Sequence, residues 1–218
     1  MHFLCLHGAG TNSKIFEFQI ALRHELGGDH TYDFVEGVVA QHRALGIENL
    51  ATSEDLCFAY YKPHNAESFK KAVEDLEKYI KTDGPFDGII AFSQGVSLAC
   101  AIFVDELRLR ESGLRCGIFF SGRPPFIDAG TPLTHYSHPT TPVKAGEVPI
   151  NIPTVHIWGA EDKIEPGQAL ALSRLCRSEN RYEHIHGGGH EVPGSRDKEG
   201  LIESANVIRR MLAQLGCN

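Results

Sequence analysis

The chain has 218 residues and a formal net charge of −7 at neutral pH. This length is that of one ordinary domain, so we expect residues 1–218 to form a single domain. A hydrophobic content of 42% excludes a disordered chain. The acidic balance argues against a nucleic-acid-binding protein, because binding to phosphates rewards a basic face.

The cysteines and the N-terminus bear on the compartment. Six cysteines are spread along the chain without a C-x-x-C pair, so a reducing compartment is the simpler interpretation, although six thiols could in principle pair. The N-terminal stretch MHFLCLHGAG has no basic region ahead of its apolar run, and that run is only four residues long. We therefore expect no signal peptide and no membrane span, and a cytoplasmic protein.

Short unbroken apolar runs alternate with longer stretches of helical periodicity. The runs are typical of strands in a parallel sheet that is buried on both faces. In chain order the sequence predicts a strand at 3–6, a helix at 15–26, weaker strands at 32–35 and 57–61, a helix at 65–80, strands at 89–92, 118–120 and 155–158, a helix from 166, a weaker strand at 182–186 and a C-terminal helix at 201–215.

The predicted helices rest on apolar stripes and on their end signals. The stripe of the first helix consists of Ile15, Phe18, Leu22 and Leu26, and Gly27-Gly28 ends it. The stripe of the second consists of Phe69, Val73, Leu76 and Ile80, and Gly84-Pro85 ends it. Pro166 suits the first position of a helix that carries Leu172 and Leu175. The last stripe consists of Leu201, Ala205, Ile208, Leu212 and Leu215.

Strands that alternate with helices predict βαβ units and a three-layer α/β/α sandwich with a mostly parallel sheet and no separate cap domain. One region breaks the rhythm, because residues 123–153 contain seven prolines and no strong periodicity. We expect a long loop near the functional site there, although a surface excursion without a role is an equal alternative. Phe92, Phe126, His135 and Tyr136 are the candidate substrate-binding residues.

The segment GPFDGIIAFSQG is a predicted strand that leads through a tight turn into a helix. Its A-x-S-x-G core is a variant of the G-x-S-x-G nucleophile elbow, with Ala91 in place of the first glycine. Small residues are needed there because the sharp turn brings the chain close to its neighbours. Ser93 is therefore the candidate nucleophile. The alternative is an ordinary serine that caps a helix.

The first strand ends in HGAGTN, a turn that leaves backbone N–H groups above the predicted nucleophile. The N–H of Ala9, or that of Gly10, together with the N–H of Gln94 would bind an oxyanion. A dinucleotide-binding loop is the rival interpretation, because Gly8-Ala9-Gly10 begins a G-x-G-x-x-G pattern. Ser13 stands at the position of its third glycine, so that fingerprint is incomplete.

The candidate base is His190, in the glycine-rich stretch HGGGHEVP that follows the strand at 182–186. The glycines let the chain swing this imidazole back over the sheet. A metal site formed by His184, His186 and His190 is the alternative, although the stretch offers no cysteine or aspartate ligand. We expect His184 and His186 to pack within the sheet, and we expect no metal and no cofactor.

The candidate acid is Asp162, in the turn WGAED that follows the strand at 155–158. Its short side chain would orient the imidazole, with Glu161 and Glu165 as alternatives. The resulting chain order is nucleophile, acid, histidine, which is the order found in the α/β-hydrolase fold and differs from the other common triad orders. Four elements that each follow a strand, in the right order, together favour a serine hydrolase.

The chain resembles the small FSH-type serine hydrolases, a family that includes ovarian-cancer-associated-2-like proteins and fungal polyketide-releasing thioesterases. The stretches that carry the resemblance run through nearly the whole chain: FLCLHGAGTN, GPFDGIIAFSQG, IPTVHIWGAEDKIEP and HGGGHEVP. The family elbow usually has glycine where this chain has Ala91. The resemblance implies the same triad of Ser93, Asp162 and His190.

The resemblance further implies a thioesterase that releases a polyketide-type acyl chain from an acyl carrier protein. A general short-chain carboxylesterase is the alternative, and a non-catalytic binding module with a hydrolase fold is a remote one. Carrier proteins tend to be acidic, so docking would need a local basic face on this acidic chain. The candidates for that face are Arg108, Arg110, Arg115 and Arg123.

Overall fold

The structure is a computed structural model, and it describes residues 1–28, 30–52, 54–125 and 149–216. In chain order its elements are β1 (His2–Leu6), α1 (Ser13–Gln19), α2 (Arg23–Leu26), β2 (Thr31–Val35), β3 (Val39–Gln41), β4 (Cys57–Ala59), α3 (Ala66–Asp83), β5 (Gly88–Phe92), α4 (Gln94–Phe103), α5 (Glu106–Ser112), β6 (Cys116–Phe120), β7 (Thr154–Gly159), α6 (Gln168–Ser173), β8 (Arg181–His186) and α7 (Lys198–Gln214).

The described strands form a six-stranded sheet in the order β2-β1-β5-β6-β7-β8, and every neighbouring pair in it is parallel. Leu4 and Leu6 of β1 face one core together with α3, α4 and α6, whereas Phe3 and Cys5 face the other with α1, α2 and α7. The strands are apolar on both faces because helices cover both. The predicted three-layer α/β/α sandwich is confirmed.

Two of the predicted helices form because the apolar stripe and the N-terminal cap of each favour a helix over the same residues. All four stripe residues of α3 are buried, and the Asn65 side chain caps the helix by accepting a hydrogen bond from the Ser68 N–H at 2.8 Å. The Asp197 side chain caps α7 in the same way, at 2.9 Å from the Gly200 N–H. The Gly84-Pro85 pair ends α3 where the sequence predicts.

Two helix predictions are wrong in detail. Residues 15–26 form two short helices, α1 and α2, because the chain turns after Gln19, and Phe18 is 57% exposed while Ile20 and Leu22 are buried. The helix predicted from Pro166 begins at Gln168. Gly167, directly before this helix, has a φ of 74°, which is a left-handed conformation. A right-handed helix cannot run through such a residue, so Pro166 lies outside the helix.

The strand predicted at 57–61 is shorter than expected and lies outside the main sheet. Its ordered part, β4, pairs antiparallel with β3 in a separate two-stranded sheet. Thr11, in the loop after β1, forms an isolated bridge with Phe58 of this small sheet. The β3–β4 sheet therefore supports the loop from which the oxyanion donors are expected.

Several predictions fall partly or wholly outside the described residues. Phe126, His135 and Tyr136 are not described, so the loop at 123–153 and the single domain over 1–218 stay predictions. Within the described ranges no helix has both the length and the apolar character that crossing a membrane requires. The thiols of Cys5, Cys57, Cys100 and Cys176 are free and buried, and the side chain of Cys116 is buried as well.

Candidate active site

Ser93 stands at the sharp turn between β5 and α4. Its backbone has φ 51° and ψ −113°, which is strained for a residue with a side chain, and its N–H donates to the Phe120 carbonyl of the neighbouring strand at 3.0 Å. The side chain makes no capping hydrogen bond to α4. The alternative of a helix-capping serine is therefore wrong, because the hydroxyl points to another partner.

The small residues around Ser93 are explained by close backbone contacts. A Cβ atom on Gly95 would lie 2.5 Å from the Leu6 carbonyl oxygen and 2.8 Å from that of His7. Ala91 is fully buried in β5, where it pairs in register with Leu6. The end of β1 is thus pressed against the start of α4, which brings the loop after β1 next to the nucleophile.

We expect Gly95→Ala to lower the free energy of unfolding by about 1–3 kcal/mol, because the added methyl group would overlap backbone atoms that cannot move independently. Urea denaturation at neutral pH measures the loss. Gly194→Ala is the matched control, since a Cβ atom there would lie 4.0 Å from the nearest heavy atom. Equal stability of both variants would contradict the close packing of this turn.

His190 and Asp162 reach Ser93 from the ends of the next strands. The His190 Nε2 atom lies 2.9 Å from Ser93 Oγ, and Nδ1 lies 2.8 Å from Asp162 Oδ2. The carboxylate can only accept, so Nδ1 carries the proton and Nε2 accepts from the serine hydroxyl. The histidine and aspartate side chains are 11% and 7% exposed. The structure thus brings together the three side chains that the sequence singles out.

The Asp162 carboxylate is held in place by its own turn. Its Oδ1 atom accepts hydrogen bonds from the backbone N–H groups of Ile164 and Glu165, both at 3.0 Å. Glu161 is exposed, and the Glu165 carboxylate pairs with Arg123 at 3.3 Å. Of the three candidate acids, Asp162 is the one that meets the imidazole.

The glycines before His190 let the two loops interlock. A Cβ atom on Gly159, at the end of β7, would lie only 2.1 Å from the Gly188 carbonyl oxygen. The same carbonyl accepts from the Glu161 N–H at 3.0 Å, and the Ala160 N–H donates to the carbonyl of His186 at 2.8 Å. The acid turn and the histidine loop are therefore fixed against each other, which sets the position of the imidazole.

Two of the three proposed oxyanion donors are available. The Gly10 N–H donates to the Phe58 carbonyl at 2.9 Å, so the prediction that Gly10 could serve is wrong. Across the described part of the chain, the N–H groups of Ala9 and Gln94 have no hydrogen-bond partner. Gln94 is the first residue of α4, whose positive N-terminal end adds to the attraction for an anion.

The dinucleotide interpretation fits the structure poorly. The N–H and the hydroxyl of Ser13, at the start of α1, both donate to the Glu36 carboxylate at 3.1 Å. A pyrophosphate bound at the start of this helix would meet that negative charge. The loop after β1 is therefore poorly suited to cradle a phosphate.

Sequence reasoning missed the side chains that hold this loop. The Gln94 amide accepts from the Tyr60 N–H at 2.8 Å and donates to the Tyr61 carbonyl at 3.0 Å. The Tyr60 hydroxyl accepts from the His7 N–H at 2.9 Å and donates to the Val35 carbonyl at 2.8 Å. These contacts join residues 25–53 positions apart, so no local pattern in the sequence could reveal them.

Glu36 anchors the same loop through the buried His7, whose Nε2 lies 3.0 Å from the carboxylate. Burial alone would raise the pKa of Glu36, but the hydrogen bonds from His7 and Ser13 outweigh it and lower the pKa below the ordinary value. A lowered folded-state pKa stabilises the protein above the unfolded-state pKa, and this stabilisation is lost as the pH falls through the folded-state value.

We expect the wild-type Tm to exceed that of Glu36→Gln at pH 7, and the difference to shrink below about pH 4 as the carboxylate takes up a proton. Thermal denaturation across a pH series measures both. Glu25→Gln, which removes an exposed carboxylate on α2, is the control and should shift the Tm little at any pH. A difference that grows on acidification would contradict the assigned sign.

Phe92, a predicted substrate-binding residue, is 6% exposed. Its ring centroid lies 5.2 Å from that of His190, and a Cβ atom on Gly8 would lie 2.8 Å from its Cδ1 atom. The Phe92 ring therefore packs against the imidazole of His190. A direct contact with substrate stays a prediction.

The alternative metal site is wrong for the residues it named. Within the described ranges no three His, Cys, Asp or Glu side chains come together in a way that could hold a metal ion. The His190 imidazole is engaged by Ser93 and Asp162, while His186 Nδ1 accepts from the Gly188 N–H at 3.1 Å. His186 lies buried in the sheet and His184 is partly buried there, as expected.

The four arginines do not form one basic face. Arg115 lies just before β6 and Arg123 just after it, so the two stand at opposite ends of a strand. The Arg108 side chain is 12% exposed and pairs with Glu77, which neutralises its charge. Docking of an acidic partner on any one of these side chains stays a prediction.

Comparison with known proteins agrees with this geometry. Residues 1–201 match the family described as Serine hydrolase (FSH1). Esterase FPY3 of Fusarium mangiferae is 38% identical over 196 residues, which covers 88% of each chain. Hydrolase phiM of a fungal species (strain ATCC 74256) is 29% identical over all of this chain and 99% of its own.

The solved structures bear on the fold alone. A carboxylesterase from Mesorhizobium loti superposes with a TM-score of 0.63 at 15% identity, covering 97% of this chain and 88% of its own. Its likeness supports the α/β-hydrolase architecture of the sheet and helices. With the family match and the esterase relatives, this chain belongs to the FSH1 family of serine hydrolases and is a hydrolase that acts on esters.

Proposed function

We propose that this enzyme hydrolyses the thioester of a polyketide-type acyl chain held on an acyl carrier protein, through an acyl-enzyme intermediate on Ser93. The observation that carries the catalytic part is the hydrogen-bonded chain from Ser93 Oγ to His190 Nε2, at 2.9 Å, and from His190 Nδ1 to Asp162, at 2.8 Å. The resemblance of the sequence to a family that includes polyketide-releasing thioesterases supports the choice of acyl donor.

In the first half of the reaction, the Ser93 oxygen attacks the carbonyl carbon while its proton passes to His190 Nε2. Asp162 stabilises the imidazolium that forms. The carbonyl oxygen becomes an oxyanion and receives hydrogen bonds from the N–H groups of Ala9 and Gln94, each worth about 3 kcal/mol of barrier. Collapse of this intermediate breaks the carbon–sulfur bond, and the imidazolium returns its proton to the departing thiolate.

In the second half, a water molecule takes the place of the thiol. His190 Nε2 removes its proton, the hydroxide oxygen attacks the acyl carbon, and the same N–H groups hold the second oxyanion. Collapse releases the carboxylic acid and returns the proton to Ser93. His190 Nε2 takes up and releases the proton in both halves, so the mechanism requires no further acid or base.

A general carboxylesterase is the second candidate, and the names of similar proteins favour it. FPY3 is called an esterase, and the superposed protein from Mesorhizobium loti is called a carboxylesterase. The same site would cleave an oxygen ester by the same steps, with an alcohol as the leaving group.

A matched substrate panel separates the two candidates. The kcat/KM of acyl-pantetheine thioesters is compared with that of oxygen esters with the same acyl chains and of graded length. Consistent preference for the thioesters supports the proposal, whereas equal or better use of the oxygen esters supports the carboxylesterase. Labelling by a fluorophosphonate that is lost in Ser93→Ala tests the nucleophile, and failure to label the wild type would favour a non-catalytic binding module.

A further inference from the structure

A small group of polar side chains lies beside the nucleophile, and none of the catalytic steps uses it. Tyr61 is 3% exposed, and its hydroxyl interacts with the side chains of Arg123 and Ser97 but makes no hydrogen bond of regular geometry with any described residue. The Arg123 guanidinium lies near the Tyr61 hydroxyl, and the Arg123 side chain is 32% exposed. A buried hydroxyl whose hydrogen bonds are incomplete costs free energy, so this one points to a ligand that completes them.

Three contacts tie this pair to the catalytic residues. The Ser97 hydroxyl, one helical turn after Ser93, donates to the Arg123 carbonyl at 3.2 Å. The Arg123 guanidinium donates to Glu165 at 3.3 Å, and the Glu165 N–H donates to Asp162 at 3.0 Å. These bonds hold the guanidinium at the rim of the triad.

Two further contacts place Tyr61 and fix the chain beneath Arg123. The Tyr61 carbonyl accepts from the side chain of Gln94, the residue directly after the nucleophile. A Cβ atom on Gly122 would lie 2.5 Å from Val96, so the chain that carries Arg123 is pressed against the first turn of α4. The phenol and the guanidinium therefore sit on a rigid base next to Ser93.

The charges at this position decide which ligand fits. Glu165 balances the positive charge of Arg123 and would repel a carboxylate brought close to it. Burial raises the pKa of Tyr61, so its hydroxyl stays protonated and can donate. A guanidinium has five N–H groups, and that of Arg123 contacts Glu165 and the Tyr61 hydroxyl among the described residues. The position is electrically balanced and rich in donors.

We infer that Tyr61 and Arg123 bind a neutral oxygen of the acyl chain, a keto or hydroxyl group, so that the enzyme prefers oxygenated acyl chains to plain alkyl chains. This inference rests on the proposed function, because it concerns the acyl group that Ser93 receives. The phenol and a guanidinium N–H donate to the oxygen, which replaces water there. An alkyl chain offers neither donor an acceptor.

The test compares kcat/KM for N-acetylcysteamine thioesters of hexanoate, of 3-, 4- and 5-oxohexanoate, and of adipate. In the wild type we expect the kcat/KM of at least one oxohexanoate thioester to exceed that of the hexanoate thioester by roughly tenfold, which is the effect of one buried hydrogen bond. Tyr61→Phe should bring this ratio close to one, and Arg123→Met should lower it independently. Tyr79→Phe is the matched control, since Tyr79 stacks on Phe86 before β5, away from the site.

Each other outcome counts against a defined part of the inference. Turnover of hexanoate with no oxo substrate preferred, or a preference that survives Tyr61→Phe, overturns the inference and leaves the proposed function intact. Preference for adipate overturns the neutral class of ligand. Failure to turn over any of the thioesters overturns the proposed function and this inference with it.

Discussion

Ser93→Ala is expected to lower kcat by about 10⁵-fold or more on any ester or thioester that the wild type cleaves, because the variant lacks the oxygen on which the proposed acyl intermediate forms. The structure supports this magnitude, since the hydroxyl is the atom that meets His190 Nε2, at 2.9 Å. The measurement is steady-state hydrolysis of an activated ester, together with the burst of released alcohol in the first turnover. The burst should vanish in the variant.

Ser204→Ala is the matched control for this experiment. Ser204 is a fully buried serine in α7 whose hydroxyl makes no hydrogen bond within the described residues, so its loss should leave kcat within about twofold of the wild-type value. A Ser93→Ala variant that keeps its burst would contradict the assignment of the nucleophile. Circular dichroism of both variants separates a catalytic loss from a folding defect.

Asp162→Asn is expected to lower kcat by about 10⁴-fold with little change in KM. The amide can donate a hydrogen bond where the carboxylate only accepts, so the imidazole turns to the tautomer that carries its proton on Nε2. In that tautomer His190 cannot accept the proton of Ser93. Hydrolysis of the same activated ester measures the loss.

Glu161→Gln is the control for the aspartate variant, because Glu161 is an exposed carboxylate in the same turn. Its replacement should leave kcat within about twofold. Similar losses in both variants would mean that the charge of the turn, and not the contact between Asp162 and His190, supports catalysis.

The part of the fold that the sequence predicts is the part that local chemistry decides. The strand at 89–92 is an unbroken apolar run because helices cover both faces of the sheet, and that run is visible without coordinates. The helix from Ala66 to Asp83 is visible because its stripe, its Asn65 cap and its Gly84-Pro85 stop all lie within one stretch. Signals of this kind need no distant partner.

The predictions that failed depend on partners far along the chain. A short run such as 57–61 looks the same whether it joins the main sheet or a small hairpin, and the structure pairs Cys57–Ala59 with Val39–Gln41. The turn that splits 15–26 into two helices follows from burying Ile20 and Leu22 under the sheet. The periodicity of the sequence alone cannot reveal either of these two features, because both come from packing against other elements.

By itself the sequence determined the class of fold, the chain order of nucleophile, acid and base, and the need for small residues around Ser93. Each of these follows from residues that are neighbours along the chain. The tertiary structure alone decided that the Gly10 N–H donates to the Phe58 carbonyl and that the Gln94 side chain accepts from the Tyr60 N–H. It alone also placed Tyr61 beside Arg123. The physical reason is that hydrogen bonds and packing across tens of residues exist only once the sheet has brought its strand ends to one edge.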